Sequence, residues 1–357
     1  MDFFSSIYTR FLPWRHNPLL PTKLRDATAT FHSWHEFNES VDQWTSIPIP
    51  KTYRGPTKRE IQQQQQQQSI QDQKFVLATW NVNAAAELPA ERMSAIVSHI
   101  TNSAPAVDII FLQEVSKQAL DSLLSDPQIR RCWYSSEADV ANWRGLPFAT
   151  MTLLSKRRFN HANGLLGPVW RYEYPSRFDR DALCCDVFLP LPAKTPTGKA
   201  DYVRARLVNV HLDSLPLQPS RRPRQLSIVA SVIRSANRGL VAGDFNPVLP
   251  EDATLISENR LIDAWHELHP GEPGFTWGLD GNQRSGACRS DKVAVVGLRP
   301  LHIEVMHPGV IDLSSDNQDI KEAENVRDEA GLSEESDPTV PWSDHSGLKC
   351  SLELVGE

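Results

Sequence analysis

From Phe75 onward the chain alternates two hydrophobic periods. FVLATWNV is a short apolar run suited to a strand, and the segment after it places Met93, Ile96, Val97 and Ile100 at i, i+3, i+4 and i+7, one face of a helix. VDIIFLQEV at 107–115 repeats the strand signal, GLPFATMTLLS and ALCCDVFL add two more, and VRARLVNVHL supplies another at 203–212. A second helix follows, with Leu226, Val229, Ala230 and Ile233 on one face, and then the short strand GLVAGDFN. KVAVV reads as a strand, and Leu348, Cys350, Leu352 and Leu354 alternate with polar residues as in a half-buried strand. No internal repeat is visible. Many strands interleaved with few helices predict one large α/β (α+β) domain over 75–357, a four-layered sandwich of two packed mixed β-sheets flanked by helices.

Before Phe75 that regularity is missing. Residues 1–50 are aromatic and proline-rich without clean periodicity and read as an irregular, partly ordered arm, whose Trp34, Phe37 and Trp44 suit docking on a larger body. Residues 51–74 contain KTYRGPTKRE and the run Gln62–Gln68, which has nothing to bury against the entropy of ordering, so they read as a linker. Arg10, Arg15, Lys23 and Arg25 lie among aromatics with few acids, which fits a flexible basic arm better than an organelle-targeting segment. The first thirty residues lack an apolar core followed by a small-residue cleavage site, and no stretch approaches the ~18 to 20 apolar residues of a bilayer crossing. The expected location is intracellular, in nucleus or cytoplasm, with the mitochondrion as the alternative.

At 357 residues, 40% hydrophobic and 23% charged, the chain carries enough apolar material for a large core, which excludes collagen-like and wholly disordered classes. Its five cysteines are an odd number without paired spacing, and Cys184 and Cys185 are neighbours in an apolar run. Neither a zinc site nor a disulfide framework follows, and a reducing compartment is expected. Residues 312–338 hold ten acidic and two basic side chains, a balance of −8 against −7 for the whole chain, which leaves +1 elsewhere. The acidity is therefore local and does not argue against a polyanionic substrate. This segment reads as a solvated flexible loop, with an autoinhibitory flap as a further reading.

The chemistry sits where apolar strands end. Asn81 closes LATWN, Glu114 closes IIFLQE, His211 and Asp213 close LVNVHLD, Asp244 and Asn246 close LVAGDFN, and Asp344 with His345 precede the last strand. One such residue alone is a turn former or cap as readily as a catalyst, but five such endings in one domain point to a site. Glu114 is a hard oxygen ligand suited to Mg²⁺, with Mn²⁺ as the alternative, and Asn81 is placed to join or support it. Asp244 and Asn246, two apart on extended backbone, offer a proton acceptor and an amide on one side. A protonated His345 supplies positive charge to a phosphate oxygen in the transition state. This set describes a hydrolytic phosphodiesterase.

TWN (79–81), LQE (112–114), VHLDS (210–214), GDFN (243–246), RSDK (289–292) and SDH (343–345) stand in the order of the endonuclease/exonuclease/phosphatase superfamily, which the chain resembles over about 75–357. Within it the chain looks most like the tyrosyl-DNA phosphodiesterase 2 branch, through TWN, the uninterrupted VDIIFLQEV, FTW at 275–277 and the ending SDHSGLKCSLEL. It departs from that branch at Phe245 and Pro247-Val248, where a Thr and a basic residue are usual, and at Asp213, where a Glu is usual. The resemblance implies that Glu114 binds Mg²⁺ directly with Asn81 beside it, Asp244 is general acid/base, Asn246 orients phosphate and His345 stabilises the pentavalent phosphorus. It also implies that Asp291 holds His345 in its productive tautomer, with an ion pair to Arg289 or Lys292 as the plainer role, and that His211 and Ser214 touch phosphate oxygens. Trp277 is a base-stacking candidate or a core filler, and Arg221, Arg222 and Arg224 are rim cations or surface arginines. Asp344 joins them on the substrate side. The implied partner is a nucleic-acid end, with a 5′-tyrosyl adduct among the candidates. Small phosphoesters or phosphoinositides are the alternative substrates, and a non-catalytic binding module is the reading from another class. Sequence says nothing of oligomeric state.

Overall fold

The computed structural model describes residues 20–21, 24–47, 73–160, 165–190, 202–279, 281, 286–313 and 339–355. In chain order the strands are β1 (Thr28–His32), β2 (His35–Asn38), β3 (Gln43–Ser46), β4 (Lys74–Asn81), β5 (Ile109–Ser116), β6 (Trp133–Ser135), β7 (Phe148–Ser155), β8 (Leu165–Glu173), β9 (Asp181–Pro190), β10 (Tyr202–His211), β11 (Gly239–Asp244), β12 (Ile262–Asp263), β13 (Asp291–Val296), β14 (Leu298–Met306), β15 (Val310–Asp312), β16 (Thr339–Pro341) and β17 (Gly347–Leu354). The α-helices are α1 (Pro89–Thr101), α2 (Lys117–Ser125), α3 (Pro127–Cys132), α4 (Arg222–Arg234), α5 (Leu255–Glu258) and α6 (Ala264–Leu268). One sheet runs β1, β8, β9, β10, β11, β13, β12 and the other β14, β17, β4, β5, β7, β6, β2, β3, while β15 and β16 pair separately.

The apolar runs are strands buried on both faces. In β4, Phe75 and Leu77 enter a core shared with Leu207, Leu240 and Val293 of the facing sheet, whereas Val76, Ala78 and Trp80 pack with Met93, Ile96 and Ile100 of α1. A third core lies between α4 and the outer face of the first sheet, with Val208, Val241, Leu226, Val229 and Ile233. Helix, sheet, sheet, helix is the four-layered arrangement expected, and both-face burial explains why the runs do not alternate.

Two strand pairs in the main sheets are parallel, β4 with β5 and β10 with β11; the remaining pairs are antiparallel. Parallel neighbours need a crossover, and α1 and α4 supply it. Each sheet therefore holds a strand, helix, strand unit at its centre, and the C-terminal ends of β4, β5, β10 and β11 share one rim. The antiparallel β13 and β17 begin at that rim, in register Asp244 with Asp291 and Leu348 with Thr79.

Several elements differ from the sequence reading. Residues 28–46, expected inside an irregular arm, form three strands: β1 extends the first sheet beside β8, and the β2/β3 hairpin extends the second beside β6. Trp34 between them is 4% exposed, and its indole N–H donates to the Gly167 carbonyl at 3.0 Å. These strands are four or five residues long with no fully buried position, which leaves no periodic signal. β8 and β14 escape the pattern too, because Pro168 and Pro300 break the apolar run and each strand shifts register there. β17 is an interior strand whose Gly347–Cys350 half is wholly buried, with Lys349 bonded to the Ala104 carbonyl and paired with Glu304. The five cysteines are all free. The Gln62–Gln68 linker and residues 314–338 of the acidic segment lie outside the described residues.

Candidate active site

Six elements deliver polar side chains to the shared rim. Glu114 does not end its strand. It sits inside β5 in a bulge where the register with β7 shifts between Leu112 and Val115, at a left-handed φ of 57°. The bulge turns its carboxylate out of the ladder, as bulges beside functional sites commonly do. Oε2 accepts the Ala84 N–H at 2.9 Å, and Oε1 lies 3.5 Å from Asn81 Nδ2 and 3.8 Å from His211 Nε2.

Asp244 is the most enclosed member, 1% exposed at the end of β11. Oδ1 accepts Ser290 Oγ–H at 2.7 Å and the Asn246 N–H at 2.9 Å; Oδ2 accepts from Asn81 Nδ2 at 3.1 Å and Asn246 Nδ2 at 3.2 Å. Burial works to raise its pKa. His345, His211, the Ser290 hydroxyl and the Asn246 amide outweigh burial, so the carboxyl is held below its ordinary value. Extended backbone does not bring Asn246 to Asp244. The chain turns at Phe245, Asn246 takes a φ of 47°, and the Asp244 side chain caps the turn. The strand leading in is fixed by Gly243, where a Cβ would stand 2.0 Å from the Val210 carbonyl oxygen.

His345 Nδ1 is 2.9 Å from Asp291 Oδ2, and its Nε2 is 4.0 Å from Asp244 Oδ2. The expected carboxylate-imidazole partnership is therefore present, while Arg289 pairs with Asp263 instead. Burial is the largest single influence on both groups. It lifts Asp291 to about 6; for His345 it opposes the charge, yet Asp291, Asp244 and Asp344 together raise the imidazole to about 10.

His211 behaves oppositely. Burial first, then the neighbouring Arg180, lowers its pKa to about 3. Arg180 Nη1 lies 2.8 Å from His211 Nδ1. A guanidinium can only donate, so Nδ1 accepts and the single ring proton sits on Nε2, facing Asp244 at 3.5 Å. The site thus holds one charged and one neutral imidazole. Arg180 was not singled out by the sequence. It is placed by Asp213, whose carboxylate accepts Ser176 Oγ–H, the Arg177 N–H and Gln225 Nε2–H and so shapes the loop before β9. Arg180 also lies 5.0 Å over the Phe148 ring and, with Trp143, Phe178 and His211, lines a cavity of about 250 Å³.

Other expected members are placed less directly. The Trp277 indole N–H donates to Asp344 Oδ2 at 3.1 Å and its ring is 6.3 Å from His345; it is part-exposed at the mouth and not a core filler. Ser214 follows Asp213, with no hydrogen bond to the groups above among the described residues. The three arginines expected as rim cations or surface arginines each have a partner within the fold. Arg224 pairs with Asp26, buried Arg222 pairs with Asp252, and Arg221 donates to the Ser176 carbonyl. Two of these partners are carboxylates and the third is a carbonyl.

For a divalent cation the donor set fits in one way. Glu114 presents a hard carboxylate with one-fifth of its side chain open to solvent, and Mg²⁺ characteristically keeps several waters beside one or two carboxylates. Among the described residues no three His, Cys, Asp or Glu side chains form a closed cage. Asn81, expected beside Glu114 at the cation, accepts the Asn83 N–H on Oδ1 at 3.0 Å and directs Nδ2 to the carboxylates, so it braces Glu114 and Asp244. Gln113, missed by the sequence reading, joins the sheets beneath the site, donating to Thr79 Oγ1 at 3.0 Å and Asn209 Oδ1 at 2.8 Å.

Among solved structures, the chain resembles D. rerio TDP2 complexed with a single-strand DNA product, at 19% identity and a TM-score of 0.54, covering 78% of this chain and 99% of that one. C. elegans TDP2 matches at 18% identity and a TM-score of 0.51, with 78% and 98% covered. An endonuclease/exonuclease/phosphatase family protein from Bacteroides thetaiotaomicron matches at 14% identity and a TM-score of 0.52, with 80% and 99% covered. No curated protein sequence matches. A family model matches residues 78–291, more than half of the chain, from within β4 to Asp291, and this chain belongs to the Endonuclease/Exonuclease/phosphatase family.

Proposed function

We propose that this chain is a divalent-cation-dependent phosphodiesterase that hydrolyses a phosphoester at a nucleic-acid end. The observation that carries this reading is the convergence of Glu114, Asp244, His211 and the His345–Asp291 pair on one rim, within 2.9 to 4.0 Å of one another in sequence around the site. Glu114 would hold Mg²⁺ or Mn²⁺, braced by Asn81 and the Ala84 amide; the ion would supply charge neutralisation at the phosphoryl oxygens.

The remaining work belongs to the protein. Protonated His345 donates from Nε2 to a phosphoryl oxygen, and Asp291 keeps the other ring proton on Nδ1. Neutral His211 offers a second Nε2–H to the same group. Asp244 stays ionised, each carboxylate oxygen held by two donors, and its charge faces the two imidazoles and the attacking water. Its lowered pKa makes it a weak base, so its contribution is orientation and the electrostatic field more than proton affinity. Asn246 fixes Asp244, donating its side-chain amide to Asp244 Oδ2 and to the Leu212 carbonyl.

Two features favour a nucleic-acid end. Trp277 at the mouth offers a stacking face worth ~1 to 3 kcal/mol per base, and the TDP2 relative carries single-strand DNA product in its structure. The cavity beside Arg180, below the range typical of drug-sized ligands, suits a small aromatic group joined to the phosphate, as in a 5′-tyrosyl adduct. Small phosphoesters form the second reading, favoured by the internal pairing of Arg222, Arg224 and Arg289, which removes charge from a polyanion track. A panel of 5′-tyrosyl oligonucleotide, abasic duplex, single-stranded RNA and a small aryl phosphodiester, each with Mg²⁺ and with chelator, decides between them. Turnover of the aryl ester alone selects the second reading. No turnover on any member removes both.

A further inference from the structure

Arg92, in the first turn of α1, is a large cation only 1% exposed. Among the described residues no carboxylate lies within ion-pair distance of it. Its guanidinium donates instead to peptide oxygens: Val82, Asn83 at 3.0 and 3.1 Å, Ala86 at 3.4 Å, Glu87 at 3.5 Å and Pro341 at 3.3 Å. A buried cation spent wholly on carbonyls is expensive to desolvate, and its planar fork of five donors is what lets one side chain gather so many acceptors.

Those carbonyls belong to two segments that build the site. Residues 82–87 form the loop after β4, and its Ala84 N–H is the donor that fixes Glu114 Oε2 at 2.9 Å. Pro341 ends β16 and leads into Ser343, Asp344 and His345. There Ser343 Oγ–H donates to the Asn81 carbonyl at 2.6 Å and the Trp80 indole N–H to the His345 carbonyl at 3.0 Å. Arg92 therefore ties the support of the metal-side carboxylate to the segment that carries the imidazole. Glu114 and Asp344 also lie close enough to act on its charge, so the cation looks into the same acidic pocket.

We propose that Arg92 is a positioning residue of the active site, which preforms the cation-binding pocket by clamping the 82–87 loop and the Pro341 lead-in around Glu114. This rests on the phosphodiesterase reading above. With Arg92 removed, the loop carbonyls lose their common donor, the Ala84 amide drifts from Glu114, and the carboxylate is free to rotate. Supports one step behind a ligand typically cost 10- to 100-fold in metal affinity when lost.

The test uses the full chain, as wild type, R92A and R92K, with free Mn²⁺ counted by electron paramagnetic resonance and kcat and KM measured on the aryl phosphodiester. R92A is expected to bind Mn²⁺ about tenfold more weakly and, at saturating metal, to lose tenfold or more in kcat with KM little changed. Ethylguanidinium should restore part of both losses where ethylammonium does not. R92K should lie near R92A, since one ammonium cannot span both segments. R92A that binds Mn²⁺ and turns over like wild type, whatever its melting temperature, overturns the proposal. If R92A does not fold, R92K with wild-type Mn²⁺ affinity and kcat overturns it equally. Wild type that binds no Mn²⁺ and cleaves no phosphodiester refutes the phosphodiesterase reading itself, a distinct result.

Discussion

Replacing Asp291 with Asn removes one negative charge 2.9 Å from His345 Nδ1 and keeps an oxygen able to accept the same ring proton. The wild-type imidazole is raised from 6.5 to about 10 against the opposing effect of burial, and Asp291 is the largest of the influences that raise it. That displacement corresponds to about 5 kcal/mol of preference for the charged ring. Without Asp291 only Asp244 and Asp344 oppose burial, and the pKa falls to its ordinary value or below. If turnover needs the imidazolium, the loss in kcat must grow with pH. At about pH 6 the variant should be within roughly twofold of wild type; at about pH 8 only about one ring in thirty carries its proton, so kcat should be roughly thirtyfold lower. Wild type should instead hold its rate until pH approaches about 10. Asp291→Asn moves this alkaline limb down by about three units. The assay is kcat against pH for both proteins at saturating metal. A loss of the same size at every pH, or an alkaline limb that does not move, refutes the assigned role of the pair. The same shift enters stability: His345 is raised on folding, so its contribution is full below 6.5 and disappears as pH rises through about 10.

Three further outcomes follow from particular contacts. Asp244→Asn keeps the shape of a group with four hydrogen-bond donors around it but removes the charge facing both imidazoles; kcat should drop about a thousandfold or more while substrate still binds, and near-full activity on every phosphodiester would refute the mechanism. Trp34→Ala deletes a 4% exposed side chain between the sheets and the indole bond to Gly167; urea unfolding should show a loss of about 3 to 5 kcal/mol, and a change below about 1 would mean the N-terminal strands are not part of the cooperative unit. Gly243→Ala meets the Val210 carbonyl at 2.0 Å and a φ of 132°; activity should be lost together with the melting temperature, and wild-type values of both would refute the close approach of β10 and β11.

The local sequence determined the elements that are buried on both faces. The apolar runs at 75–82, 107–115 and 203–212 could only be satisfied between layers, so strand identity, helix faces and the sandwich follow from the pattern alone. Residue chemistry likewise marked Glu114, Asp244, Asn246, His211 and His345, because five polar endings of apolar runs in one domain point to a site, and the family resemblance added Asp291. Tertiary structure decided the rest. β1 to β3 carry no period because they are four or five residues long with no fully buried position on either face, and only pairing with β8 and β6 makes them strands. Glu114 is aimed by a bulge, and Asn246 by a turn around Asp244, neither of which a linear pattern encodes. Arg92, Gln113 and Arg180 matter through partners far along the chain, and Arg222 and Arg224 are withdrawn from the rim by acids equally remote. A charged side chain reads the same in sequence whether it meets substrate, carbonyl or counter-ion; its partner is set by distances that exist only after folding.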